Sequence, residues 1–325
     1  MKLLFVGDIM LGRLVNQVLK EQPAEFPWGN TLPVFQKADR RFTNLECVIA
    51  DIGRPWTVTP KVFHFRTDAK NVAVLKAAKI EAVSLANNHS LDFEYEALFE
   101  MLKLLKKAKI AAAGAGKDLE SAAAPAILKV GAKKVGFLAF TDNEPAWEAS
   151  LKIPGVFYVP VDINDLRAKN LFRLVQETKK KVDFLIVSAH WGPNWGYAPP
   201  PEQPAFARAL IERGADLIFG HSAHVFRGIE VYRDKPILYS AGNFIDDYAV
   251  DEIERNDESF IFLVEVVKNQ VSQIDLYPTL IENFQAKLAV GNEAENIALK
   301  MQTLSAEMQT PAEWQEKEKL LRISL

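Results

Sequence analysis

Short apolar runs that stop at a polar residue recur along the chain. Leu3-Leu4-Phe5-Val6 passes through Gly7 into Asp8, Arg41-Phe42-Thr43-Asn44-Leu45 into Glu46, and residues 82–86 into Asn87-Asn88-His89. Residues 184–189 run into His190, 216–219 pass through Gly220 into His221-Ser222-Ala223-His224, and 237–240 lead to Ala241-Gly242-Asn243. Apolar runs of this length, closed by glycine or polar clusters, predict buried strands. Between them the apolar spacing changes to that of helices. Residues 11–20, 69–79 and 162–180 read as helices, and Phe206, Leu210 and Ile211 mark the face of another ending near Gly214. The clearest covers 92–109, with Leu98, Met101, Leu102 and Leu105 on one side and Lys103, Lys106, Lys107 and Lys109 on the other.

Strand alternating with helix predicts an α/β fold. Three pairs of runs, 125–130 with 134–140, 228–233 with 235–240, and 260–267 with 271–277, look like antiparallel neighbours, so the sheet content is not purely parallel. Residues 53–68, with Pro55 and Pro60, read as extended. Residues 144–160 read as a loop over an opening, either a substrate wall or simple packing. The acidic stretch 246–258 reads as a solvent-facing connection. Residues 1–280 form one α/β domain in this reading, and 281–325 a C-terminal helical appendage packed on it, divided by Pro311.

Composition narrows the function classes. The chain has 325 residues, 39 basic against 42 acidic side chains and a formal charge of -3, which provides no global field for nucleic acid or an anionic membrane. One cysteine, Cys47, excludes an intrachain disulfide and reads as a small buried side chain. No apolar stretch approaches the roughly 18 residues of a membrane span, and the first strand starts directly after Lys2, leaving no room for a secretory signal. A cytoplasmic protein without membrane insertion is expected.

Four of the five histidines, His89, His190, His221 and His224, fall at strand ends. Ligands of open α/β sheets bind at that end of the strands. Asp8, Glu46, Asn88, His190, His221 and His224 together offer carboxylate, imidazole and amide donors, a set that suits one or two divalent ions such as manganese, iron or zinc. Two such ions about 3.5 to 4 Å apart would suit phosphoryl chemistry. Asp92 either caps the following helix or orients His89. Arg13 and Arg66 either bind phosphate or carboxylate oxygens or form ordinary ion pairs. Trp191 either walls a pocket or packs its loop, Asn44 is a candidate donor beside Glu46 and the substrate, and His64 reads as structural.

The set Gly7-Asp8, Asn44-Leu45-Glu46, Asn87-Asn88-His89, His190-Trp191-Gly192, Gly220-His221-Ser222-Ala223-His224 and Ala241-Gly242-Asn243-Phe244 resembles the bacterial capsule-synthesis CapA family. That family, tied to poly-gamma-glutamate synthesis, is a branch similar to calcineurin-like metallophosphoesterases, and the resemblance covers about residues 1–250. It implies a two-sheet β sandwich flanked by helices, in α/β/β/α layers. It implies Asp8 and His224 in one metal site, Asn88, His190 and His221 in the other, Glu46 between them, and His89 as proton donor to a leaving oxygen. Met10 stands where the superfamily usually has a histidine, Glu46 where it has an aspartate, and two residues rather than one separate His221 from His224. The expected function is hydrolysis of a phosphomonoester or phosphodiester. The alternative is an accessory or binding role in poly-gamma-glutamate or capsule production, with an anionic small molecule or polymer as partner.

Overall fold

The computed structural model describes residues 1–325. Its framework is two sheets packed face to face. The larger has ten strands, in the order Glu313–Gln315, Leu320–Ser324, Gln270–Glu282, Glu258–Val267, Lys2–Ile9, Arg40–Leu45, Ala82–Ser84 and Ala111–Ala113, with Asn243–Ile245 beside Lys2–Ile9 and Gln285–Leu288 beside Gln270–Glu282. The smaller has six, in the order Ile229–Tyr232, Lys235–Leu238, Leu217–His221, Phe184–His190, Lys133–Thr141 and Ala126–Val130.

Side-chain alternation along each strand builds the layers. Leu3 and Phe5 enter a core shared with Phe137, Phe184 and Phe219 of the facing sheet, while Leu4 and Val6 face the other way, in a core with Leu98, Met101 and Leu105 of the helix Glu94–Ala108. In the smaller sheet Leu185, Val187 and Ile218 turn outward, toward Leu171 and Val175 of the helix Leu166–Lys179 and Phe206 and Leu210 of the helix Glu202–Glu212. Burial on both faces explains why these strands read as unbroken apolar runs. Phe5 links the halves, its ring 5.1 Å from Phe42 within its sheet and 5.2 Å from Phe219 across the sandwich. The expected α/β/β/α arrangement is therefore present: the smaller sheet has a parallel centre, the larger is parallel from Lys2–Ile9 to Ala111–Ala113 and antiparallel on its other side, and the three expected antiparallel hairpins form.

Two expectations need correction. The C-terminal segment is not a helical appendage. Its helix Gly291–Glu307 is followed by two strands, and Leu320–Ser324 pairs with Gln270–Glu282 inside the main sheet. Trp314, Leu321 and Ile323 pack into the core between the sheets, and Leu320 is buried as well. The acidic connection after Ile245 is not wholly solvent-facing either: Asp246 is buried, and the Asp247 side chain is covered where it meets Arg13.

Candidate metal centre and adjoining cavity

Register brings the polar strand ends to one level. Asp8 lies opposite Asn44 on one side and Asn243 on the other, and Asn44 lies opposite Ser84, three residues before Asn87. In the second sheet His190 lies opposite His221. Close approach of the strands depends on glycine at two points. A Cβ on Gly7 would lie 1.9 Å from the Gly242 carbonyl oxygen, and one on Gly220 would lie 2.2 Å from that of Tyr239. Each glycine immediately precedes a candidate ligand, so backbone crowding and ligand placement share a cause.

Asp8, His190 and His221 each place one donor atom within 4.8 Å of the other two. His190 Nε2 is 3.8 Å from Glu46 Oε1, and His221 Nδ1 is 3.8 Å from Asp8 Oδ1. The two Nδ1 atoms are 2.9 Å apart, and the Ser188 hydroxyl lies 2.7 Å from His221 Nε2, which turns the other nitrogen of that ring inward. Buried oxygens Glu46 Oε2 and Asn88 Oδ1 have no hydrogen-bond partner. An orphaned acceptor on Glu46, beside His190, suits a divalent cation, since the ion would satisfy a group that is otherwise costly to bury, and Asn88 adds a second orphaned oxygen in the lining of the adjoining cavity.

The electrostatics agree. Burial pushes the Asp8 carboxyl up to about 7. Burial also raises Glu46 well above the carboxylate range, and the neighbouring Asp8 and Asp246 add to the rise. Burial holds His221 down to about 3, and burial with the adjacent His221 ring lowers His190 far below its ordinary value. Uncharged imidazoles are ready donors, while the crowded carboxylates lack a counter-charge that a metal ion would provide.

Beside this cluster, His89 Nδ1 lies 2.6 Å from Asp92 Oδ2, which also accepts the Phe65 backbone N–H at 2.6 Å. Asp92 thus orients His89, and the helix starts after it, at Glu94 with Phe93 at its N-cap. Burial lowers the His89 imidazole, and Asp92 opposes that effect. Three buried amide bonds connect the two groups. Asn44 Nδ2 donates to Asp8 at 2.9 Å, Asn87 Nδ2 to Asn44 Oδ1 at 2.9 Å, and the His89 backbone N–H to Asn87 Oδ1 at 2.9 Å.

A cavity of about 300 Å³ opens here, lined in part by Asn88, His89 and His224. His224 stands in its wall with Nδ1 3.1 Å from Asn243 Oδ1, outside the Asp8, His190 and His221 cluster. Arg13 also lines the cavity, paired with Asp247 at 3.4 Å. Three expected substrate contacts lie elsewhere. Arg66 is held over the Phe93 ring and donates to the Ile52 and Gly53 carbonyls, away from the cavity. Asn44 is fully buried, its amide engaged by Asp8 and Asn87. Trp191 is buried near Phe140 and Tyr239 with its indole N–H on the Tyr239 carbonyl, and Trp195 lines the cavity instead.

Sequence reading missed Lys61, Glu144, Trp195 and Tyr248, all in the cavity wall. Lys61 Nζ donates to the Asn88 carbonyl at 2.7 Å and pairs with Glu144 at 3.2 Å and Asp92 at 3.5 Å. The loop 144–160, read as a possible wall over an opening, does contribute Glu144, whereas the extended reading of 53–68 gave no sign of a wall at Lys61. Met10 is buried, its sulfur 3.0 Å from the Gly12 backbone nitrogen, so the position two residues after Asp8 offers a thioether and no imidazole.

Comparison with known proteins agrees with this architecture. A novel phosphatase from Mycoplasma pneumoniae superposes with a TM-score of 0.53 at 14% identity, covering 86% of this chain and 93% of that one. A putative 5'-nucleotidase from Staphylococcus aureus does so with 0.50 at 13% identity, covering 95% of this chain and 58% of that one. The fold is thus metallophosphoesterase-like. In sequence, a probable polyglutamine synthesis accessory protein of Mycobacterium tuberculosis is 36% identical over 280 residues, 74% of this chain and 73% of that protein. The PGA biosynthesis protein CapA of Bacillus subtilis is 30% identical over 276 residues, 84% of this chain and 70% of that protein. The model of the bacterial capsule synthesis protein family PGA_cap matches residues 2–248, and the chain belongs to that family.

Proposed function

We propose that this chain is a metal-dependent phosphoester hydrolase. The observation that carries the reading is the buried meeting of Asp8, His190 and His221 within 4.8 Å, with the partnerless Glu46 carboxylate beside His190. Asp8, Glu46, Asn88, His190 and His221 would hold a divalent ion, and His224 would reach a second from the cavity wall. The ion would supply Lewis acidity toward a phosphoryl group. The protein does the rest. Asp92 anchors Nδ1 of His89 and supports its charged form, leaving Nε2 to pass a proton to a departing alkoxide oxygen. Asn44 and Asn87 fix the spacing between that histidine and Asp8.

The test combines metal content with turnover of phosphomonoester and phosphodiester nitrophenyl substrates by the manganese-loaded chain. Glu46→Ala and His221→Ala should lose bound metal. His89→Ala should keep it and lose about 100-fold or more in turnover of an alkyl ester such as glycerol phosphate, with a smaller loss on nitrophenyl esters, whose leaving group needs no proton. Unchanged metal in the first two variants would reject the assignment. The kinship with proteins named for polyglutamine and PGA synthesis favours a second reading, an accessory that binds an anionic polymer. Tight poly-gamma-glutamate binding with full metal content and no ester turnover would select it.

A further inference from the structure

The cavity over the candidate metal centre has walls that differ from its floor. Phe65 stacks on His89 with ring centroids 4.0 Å apart and tilts against Tyr248 at 5.8 Å. Tyr248 meets His224 edge to face at 5.1 Å, and His224 meets Trp195 at 5.4 Å. Phe63 extends the row, stacked 6.3 Å from Phe65. These six rings form a continuous aromatic arc around a space of about 300 Å³. Phe63 is 58% exposed and Trp195 43%, so two large apolar faces meet solvent at the rim.

The cations of the wall are already engaged. Lys61 is neutralised by Glu144 and Asp92, and Arg13 by Asp247. A row of free positive charge, the feature that would track a polyanion, is therefore missing from this wall. A single anionic group can be met at the floor, while the remainder of the ligand lies against aromatic faces. The volume suits one small ligand.

We infer that the cavity selects an ester whose alcohol portion is a flat aryl or heteroaromatic group, held by the arc of Phe63, Phe65, His89, Trp195, His224 and Tyr248. This rests on the hydrolase reading for the anionic end, and on the ring geometry alone for the other. Aromatic pairs gain energy beyond their buried area, enough for a preference of about tenfold when two or three faces are engaged.

Non-hydrolysable probes separate the two claims. Binding of phenylphosphonate and 2-hydroxyethylphosphonate to the manganese-loaded full chain would be measured by calorimetry. The phenyl compound should bind about tenfold more tightly. The Phe63→Ala/Trp195→Ala double variant, altered only at partly exposed rim side chains, should lose that preference and keep its affinity for the hydroxyethyl compound. Equal affinities in the parent chain, a preference that survives the double variant, or no phosphonate binding would each overturn the inference. Ester turnover without an aryl preference removes the cradle and leaves the hydrolase. An aryl preference without turnover of any ester removes the hydrolase and leaves the cradle.

Discussion

The centre depends on single atoms without partners. Glu46 Oε2 and Asn88 Oδ1 are buried and unbonded, as are Ser84 Oγ, Asp92 Oδ1 and Asn243 Nδ2, while Asp8, Asn44, Asn87 and His221 are bonded to neighbours. Asn44 shows how closely the arrangement is held, because its amide lies between Asp8 and Asn87 with no other freedom. Asn44→Ala should weaken manganese binding by about 10- to 100-fold and destabilise the fold by about 1 to 3 kcal/mol through unpaired buried groups. Calorimetry and urea unfolding would check both, and unchanged metal affinity would show that the amide chain does not position Asp8. The ligand candidates were legible because each ends an apolar run. That Trp195 rather than Trp191 meets the cavity was not, since it depends on the bend at Gly192, whose φ is 74°. Lys61 was equally hidden, because its role comes from an extended segment folded back over a distant strand end.

At the scale of elements, strands and long helices followed from periodicity, and helix limits shifted where a side chain had other work. Asp92 is bonded to His89, so the helix starts two residues later than its apolar pattern allows. Connections carried less signal. The loop bearing Asn194 and Trp195 is held from beneath by Arg227, which is 1% exposed. Its guanidinium donates to the carbonyls of Pro193, Trp195 and Gly196 and to Gln203 Oε1, and burial lowers it to about 10. A buried cation bonded to carbonyls and an amide, with no carboxylate among those acceptors, fixes backbone rather than charge. The same loop receives the His224 backbone N–H at the Asn194 carbonyl, 2.7 Å away. Arg227→Met should therefore lower unfolding stability by about 2 to 4 kcal/mol and make the loop a preferred site of proteolytic cleavage. A change below about 0.5 kcal/mol would place the loop under other control.

For the whole molecule, the layered α/β architecture could be read from apolar runs alone, because two faces of each central strand are buried. The end of the chain could not. Leu320–Ser324 is short, follows a turn, and gains its apolar partners from the strand Gln270–Glu282 and the helix Gly291–Glu307, both distant from its own local pattern. Its buried Leu320, Leu321 and Ile323 make it part of the core. Deleting residues 310–325 should remove on the order of 5 kcal/mol of apolar burial, comparable with the total stability of many domains. A thermal midpoint close to that of the full chain would contradict this, whereas loss of a cooperative transition is expected. No helix is long and apolar enough to cross a membrane.

Everything functional rests on two sheets bringing their strand ends together around a cation. The most direct measurement is an anomalous difference map from a crystal of the full chain soaked in manganese. The account places a peak at about 2 to 2.3 Å from donor atoms of Asp8, His190 and His221, with Glu46 and Asn88 oxygens turned toward it. A fully soaked crystal with no peak there, or with its strongest peak bound by other residues, would contradict it.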